Sequence, residues 1–248
     1  MINIYEVMAT MDNLPIFFFQ HMERLHRSIN NYIQLDYEKM LDIVKPLILS
    51  KLPESKGKNI KITFNLESSI FTIDLVQSRT PNKDSYIKGG TLGIVDLERD
   101  TPLIKRENLE LRSISDKICS ENGFYDILLE NKIGGITEGS RSNFLCIDKD
   151  GRVITSPLSS SLQGITREMI FLVCREEGIP VIERVITKNS LKEFDSLIIT
   201  GTSPGILPIR SCENIQFNIA NPTVSKLQKG YINKQNIDLT IAKDYFNL

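Results

Sequence analysis

The sequence of 248 residues has no excess of charge of either sign: 30 Lys and Arg stand against 31 Asp and Glu, for a formal net charge of -1. That balance excludes the strong field by which a basic chain gathers nucleic acid or an anionic membrane surface, so the expected partners are small molecules or a second copy of the chain. Long apolar runs are lacking too. No stretch approaches the roughly 18 consecutive apolar residues of a spanning helix. The opening MINIYEVMATMDNLPIFFF has no basic segment ahead of its apolar residues, so no export leader is expected and the cytoplasm is the expected location. Histidine is scarce, with only His21 and His26, both near one end of the chain. The four cysteines, Cys119, Cys146, Cys174 and Cys212, lie far apart and form no C-x-x-C pair. This distribution argues against a zinc site and leaves no histidine placed for a Ser/His/Asp triad, and reduced buried thiols are the plainer reading of the cysteines.

What is present is a change of period along the chain. Ile2 to Val7 has strand character, and the apolar run Pro15 to Phe19 follows the turn Met11-Asp12-Asn13, which predicts a hairpin. Met22, Leu25, Ile29 and Tyr32 fall at helical spacing, as do Met40, Leu41, Val44, Leu47 and Ile48, predicting helices over 20–32 and 37–52. Strict alternation in 59–65 and a second run in 69–76 predict another hairpin. The polar, glycine-containing stretch from Thr80 to Gly90 marks a linker. Beyond it, helices are expected over 107–121 and 166–177, and strands over 126–129, 143–147, 153–155, 181–184 and 196–200. After Pro222 the signal weakens to a short helix over 224–231 without a role.

No single short motif is decisive, but several segments follow one another in order. His21-Met-Glu-Arg24-Leu25, Thr137-Glu138 through Asn143-Phe144, Thr155-Ser-Pro157, Leu162-Gln-Gly164-Ile165-Thr166-Arg167, Gly178-Ile-Pro-Val-Ile-Glu-Arg, and Gly201-Thr202-Ser203 with Pro208 resemble the segments H-x-x-R-L, T-E-x-x-x-x-N-x-F, T-P, L-x-G-I-T-R, G-I-x-V-x-E-R and T-G-T of the class IV aminotransferases. The resemblance runs from Tyr5 to about Pro208. It implies a two-domain, fold-type-IV architecture mixing α+β and α/β elements: a small N-terminal α+β domain over 1–84, a linker over 85–100 and a larger C-terminal domain over 101–248. It implies pyridoxal 5'-phosphate (PLP) as cofactor and a homodimer.

The same resemblance places a K-x-x-N lysine about thirty-three residues before the glutamate, which lands on Lys105 in Lys105-Arg-Glu-Asn108. Lysine suits the task, since its amine condenses with an aldehyde and later moves a proton. Read without the family, Lys105 is an ordinary surface lysine. Glu138 is implied beside the pyridine nitrogen, where an acidic group keeps that nitrogen protonated; alone it reads as a loop glutamate. Arg24, Ile165, Thr166 and Thr202 are implied around the phosphate, through a guanidinium fork and an opened helix N-terminus, and Asn143 also belongs to the cofactor set. Ser203 and Arg141 fall on the substrate side, although Arg141 equally reads as filling space. His21 has no assigned role.

Three departures bear on substrate. Leu109 stands where many relatives have a tyrosine, Arg141 where a small residue is common, and Ile4-Tyr5-Glu6 matches only the tail of a leading G-D-G-x-F-E motif. The implied activity is transamination between an amino acid and a 2-oxo acid. The alternatives are a lyase resembling 4-amino-4-deoxychorismate lyase, which releases pyruvate and forms 4-aminobenzoate, and a non-catalytic PLP-binding relative.

Overall fold

The computed structural model describes residues 2–99 and 101–248. Contacts divide the chain into two compact units: Met1–Arg79, Ile104–Glu107 and Ile232–Leu248 form one, and Thr80–Leu103 with Asn108–Tyr231 form the other.

The first unit is built on a three-stranded antiparallel sheet in the order β1 (Asn3–Met8), β4 (Lys58–Asn65), β5 (Ile70–Gln77), with a small ladder of β2 (Thr10–Met11) and β3 (Leu14–Pro15). Alternation sends Ile4, Glu6 and Met8 to the buried face together with Ile60, Ile62 and Phe64. Helix α1 (Phe18–Ile29) packs on β1, and α2 (Tyr37–Leu49) packs on β5, through the apolar stripes Met22, Leu25, Ile29 and Met40, Val44, Ile48. The run Pro15 to Phe19, expected as a strand, is only briefly extended. Phe17 takes a left-handed conformation (φ 58°) and the helix begins at Phe18, because Ile16, Phe17 and Phe18 are all buried and cannot alternate between a buried and an exposed face.

The second unit centres on a mixed sheet of ten strands. Its path is β11 (Val181–Glu183), β10 (Val153–Thr155), β9 (Asn143–Ile147), β13 (Ser196–Gly201), β14 (Gly205–Cys212), β6 (Gly90–Asp96), β7 (Asp126–Glu130), β8 (Gly135–Gly139), β12 (Ile186–Thr187), with β15 (Ile215–Gln216) on β14. Helices α3 (Lys83–Lys88), α4 (Leu109–Asn122), α5 (Ile165–Glu176) and the first part of α6 (Pro222–Phe246) accompany it. Asn108 caps α4, its Oδ1 accepting from the Leu111 N–H at 2.9 Å.

The domain boundaries fall elsewhere than the sequence suggested. The stretch expected as linker holds β6, a central strand paired in parallel with both β14 and β7. Its glycines disguised it, yet Gly93 is there for packing: a Cβ at that position would come within 2.5 Å of the Phe124 ring. Lys105 belongs with the small unit, since Ile104–Glu107 docks against β1. The weak signal after Pro222 is a helix of 25 residues. Its buried stripe Val224, Leu227, Tyr231, Leu239, Ala242, Phe246 is broken by the polar residues Lys234, Gln235 and Asn236. No helix among the described residues is long and apolar enough to cross a membrane.

Candidate active site

In the first unit the buried side chains of Glu6, His21 and Arg24 meet. Glu6 sits on the buried face of β1 and is 0% exposed. His21 and Arg24 lie three residues apart, on one face of α1. The Arg24 Nε and Nη2 donate to the two Glu6 oxygens at 2.7 and 2.6 Å, and His21 Nδ1 lies 2.8 Å from Oε2. Burial alone raises the Glu6 pKa, but the Arg24 charge and the hydrogen bonds from Arg24 and His21 outweigh it and hold the carboxyl well below its ordinary range. Burial lowers the pKa of His21 against the pull of Glu6, favouring neutral imidazole. The result is a guanidinium gripped on one edge and fixed in direction.

Lys105 reaches the same sheet from its other side. Ile4 and Arg106 form an antiparallel bridge, the Tyr5 N–H donates to the Lys105 carbonyl at 3.1 Å, and the Glu107 N–H donates to the Asn3 carbonyl at 3.1 Å. This docks 104–107 against β1 through one bridge and two backbone hydrogen bonds, with a tight turn at Lys105, where the Arg106 N–H donates to the Ile104 carbonyl at 2.9 Å. Lys105 stands opposite Tyr5, with its Nζ 5.1 Å from the centre of the Tyr5 ring.

In the second unit Glu138 lies on β8 and is 2% exposed. Its Oε2 accepts from the Leu162 N–H at 3.3 Å, and its Oε1 is in ion-pair contact with Arg99 Nε at 2.9 Å. Arg99 is fixed in turn by donating from Nη2 to the Ser140 carbonyl at 2.7 Å. Asn143 donates from Nδ2 to the Leu162 carbonyl at 2.9 Å, so Glu138 and Asn143 hold opposite poles of one peptide-bearing residue. Asn143 therefore acts on the loop before α5. That loop ends at Gly164, where a Cβ would lie 2.0 Å from Asn143 Oδ1, and no side chain caps the helix that starts there. Ile165 and Thr166 are buried at its first turn, with the Thr166 hydroxyl 3.5 Å from that of Tyr231. Thr202 and Ser203 lie in the turn between β13 and β14, closed by Gly205 at φ 56°.

Three residues of this arrangement have no individual role in the sequence reading, although Arg167 stands in the segment similar to L-x-G-I-T-R. Asp126 organises the segment after Glu138: Ser140 and Ser142 donate their hydroxyls to its two oxygens at 2.6 Å each. Arg167 is 1% exposed, donates to the Ser156 carbonyl at 2.7 Å and stacks its guanidinium 4.9 Å from the Phe171 ring centre. Burial lowers its pKa, while Glu183 and Glu138 oppose the shift. Arg99 itself carried no signal. The Arg141 fork is taken up in a two-point pair with Asp116 of α4.

The architecture is that of a fold-type-IV enzyme. A putative branched-chain amino acid aminotransferase from Thermotoga maritima superposes with a TM-score of 0.81 at 24% identity, over 95% of this chain and 86% of its own. A putative 4-amino-4-deoxychorismate lyase from Legionella pneumophila gives 0.80 at 19%, over 94% and 91%. Residues 3–212 match the Amino-transferase class IV family, and the chain belongs to it. Among curated relatives, a probable branched-chain-amino-acid aminotransferase of Thermotoga maritima is 27% identical over 86% of this chain and 78% of its own length. A D-alanine aminotransferase of Staphylococcus haemolyticus is 26% identical over 92% and 86%.

The chain is thus a PLP-dependent enzyme of this class. The groups present fit that cofactor in kind: an amine at Lys105, a buried guanidinium at Arg24, a buried carboxylate at Glu138, and a helix N-terminus that no side chain caps, at a glycine where a Cβ would clash.

Proposed function

We propose that the protein transfers an amino group between an amino acid and a 2-oxo acid, with Lys105 as its catalytic amine. The observation that carries this reading is the docking of 104–107 on β1, which fixes Lys105 opposite Tyr5. Bound PLP supplies an aldehyde that condenses with amines and a ring that withdraws electrons from the substrate Cα. Lys105 would hold the cofactor, and its Nζ would move a proton at the substrate Cα as a general base and acid. Glu138 keeps the proton on the ring nitrogen. Arg24, the backbone N–H groups of Ile165 and Thr166, and the Thr202 hydroxyl bind the phosphate. Asn143 supports the cofactor by holding the Leu162–Gly164 turn. Ser203 and Arg141 lie on the substrate side, where a substrate carboxylate would have to compete with Asp116 for the Arg141 fork. The functional unit in this reading is a homodimer, checked by sedimentation.

The test is spectroscopic and then chemical. Purified protein with PLP is expected to absorb in the visible, at a wavelength of about 410 to 430 nm set by the cofactor itself, and Lys105→Ala to lose that band. Amino acids should convert the protein to its amine-loaded form, with release of a 2-oxo acid. Protein that ignores PLP overturns the reading. Pyruvate release from 4-amino-4-deoxychorismate, with no need for an oxo acid acceptor, replaces transamination with the lyase reaction.

A further inference from the structure

Glu138 is a long, flexible side chain, yet its carboxylate is held at both oxygens. Oε2 accepts from the Leu162 N–H at 3.3 Å and Oε1 lies 2.9 Å from Arg99 Nε, with the Glu138 and Arg99 side chains 3% and 15% exposed. The sheet register explains how the pair meets. Strand β6 pairs with β7 and β7 with β8, so Val95 and Glu138 stand on either side of Leu129. Arg99 lies just beyond the end of β6 and spans with its side chain to Glu138 on β8. Its Nη2 donates to the Ser140 carbonyl at 2.7 Å. Ser140 is itself tied down, donating its N–H to the Ile127 carbonyl at 2.9 Å and its hydroxyl to Asp126 at 2.6 Å. One planar guanidinium thus joins a fixed backbone oxygen to the Glu138 carboxylate.

We propose that Arg99 is a positioning residue for the cofactor, setting the direction of the Glu138 carboxylate before PLP binds. This rests on the reading of Glu138 as the partner of the ring nitrogen. Two effects of opposite sign have to be weighed. As a competing cation, Arg99 draws Glu138 away from the ring nitrogen, and its removal would tighten PLP binding. As an orienting group, it removes in advance the rotamer freedom that Glu138 would otherwise lose on binding, so its removal weakens binding. The geometry favours orientation. Arg99 is anchored to Ser140, so its guanidinium cannot follow a carboxylate that turns. The second oxygen is held by the N–H of Leu162, a residue whose carbonyl is in turn fixed by Asn143 at 2.9 Å. The carboxylate is thus gripped from β6 on one side and from the loop before α5 on the other, in a nearly dry setting.

A double-mutant cycle on PLP affinity tests this independently of turnover. Protein without PLP is titrated with the cofactor and followed by absorbance, while far-UV circular dichroism melts report that each variant folds. Arg99→Ala is expected to raise the Kd for PLP about fivefold, the scale of ordering one flexible side chain on binding. Glu138→Gln should weaken binding by itself, and adding Arg99→Ala to it should change the Kd by less than about twofold, because the group that Arg99 orients is gone. A merely structural role would weaken binding equally in both backgrounds. If Arg99→Ala does not fold, Arg99→Lys, which keeps a cation but not the two-point grip, should raise the Kd about threefold and show the same dependence on Glu138. Unchanged or tighter PLP binding in a folded Arg99 variant overturns the positioning role, and so does an equal loss in both backgrounds. Glu138→Gln that binds PLP as well as the unmutated protein overturns the underlying reading of Glu138 instead.

Discussion

Glu6→Gln isolates what the buried triad contributes. The substitution keeps the shape and two polar atoms but removes the charge that faces Arg24, itself 4% exposed, and leaves a guanidinium in the interior without its counter-charge. Breaking a buried pair from one side costs about 3–5 kcal/mol. For a chain of this size that corresponds to a drop in Tm of roughly 6–20 °C. The sequence has no tryptophan, so the melt is best followed by far-UV circular dichroism on protein without PLP. The pH profile adds a second signature. His21 has its pKa lowered by burial, so the unfolded chain binds its proton first and stability falls as pH drops below about 6.5. Glu6 has its pKa held down by Arg24, so a further loss begins as pH falls below the ordinary 4.5, with a limiting slope of about 1.4 kcal/mol per pH unit for each group. The variant should lack the lower leg and retain the upper one. With Arg24 released from its fixed direction, PLP affinity should also fall about tenfold or more, read from the absorbance titration. A variant that melts within about 2 °C of the parent, the shift of less than about 1 kcal/mol, and binds PLP equally well refutes the reasoning.

Three further outcomes are expected. Asp238 accepts from the backbone N–H of Phe17, the left-handed residue that opens α1, so Asp238→Ala should lose about 1–3 kcal/mol in urea unfolding while Asp238→Asn, which keeps an acceptor, should lose less than about 1. Burial raises the pKa of Asp238, so the folded form holds its proton to higher pH and this group's contribution is lost as pH rises from the ordinary 3.8 through the folded value; the Asn variant should lack that leg. Gly164→Ala drives a Cβ to 2.0 Å from Asn143 Oδ1, and is expected to destabilise by about 1–3 kcal/mol and to weaken PLP binding in titration. Arg141→Ala breaks a pair whose Asp116 partner is nearly half exposed, so stability should change by less than about 1 kcal/mol while the KM for the amino donor rises at unchanged kcat in steady-state assays.

How much of this was legible depended on whether a residue's partner lay within reach of a local pattern. The alternation in β4 and the stripes of α1 and α2 could be read because one face is apolar and the period is sustained. The Gly164 loop and Glu138 were found as ordered motifs, and the structure adds that both ends of Leu162 are tied to residues of the Glu138–Asn143 segment. Strands β6 and β14 escaped, since glycine and proline in them satisfy close packing and sheet pairing while imitating a turn. Glu6 was visible only as the end of a motif, because the groups that give it meaning stand fifteen and eighteen residues away on a helix. Asp126 and Arg99 belong to the same class: each acts on a segment well away in the chain, through distances that no spacing encodes. The segment around Lys105 is the limiting case. Four residues are too few to show a period, so nothing local could say that 104–107 docks on β1. Only the docking of this segment on β1, by one bridge and two backbone hydrogen bonds between residues a hundred positions apart in the chain, sets Lys105 beside the Tyr5 ring.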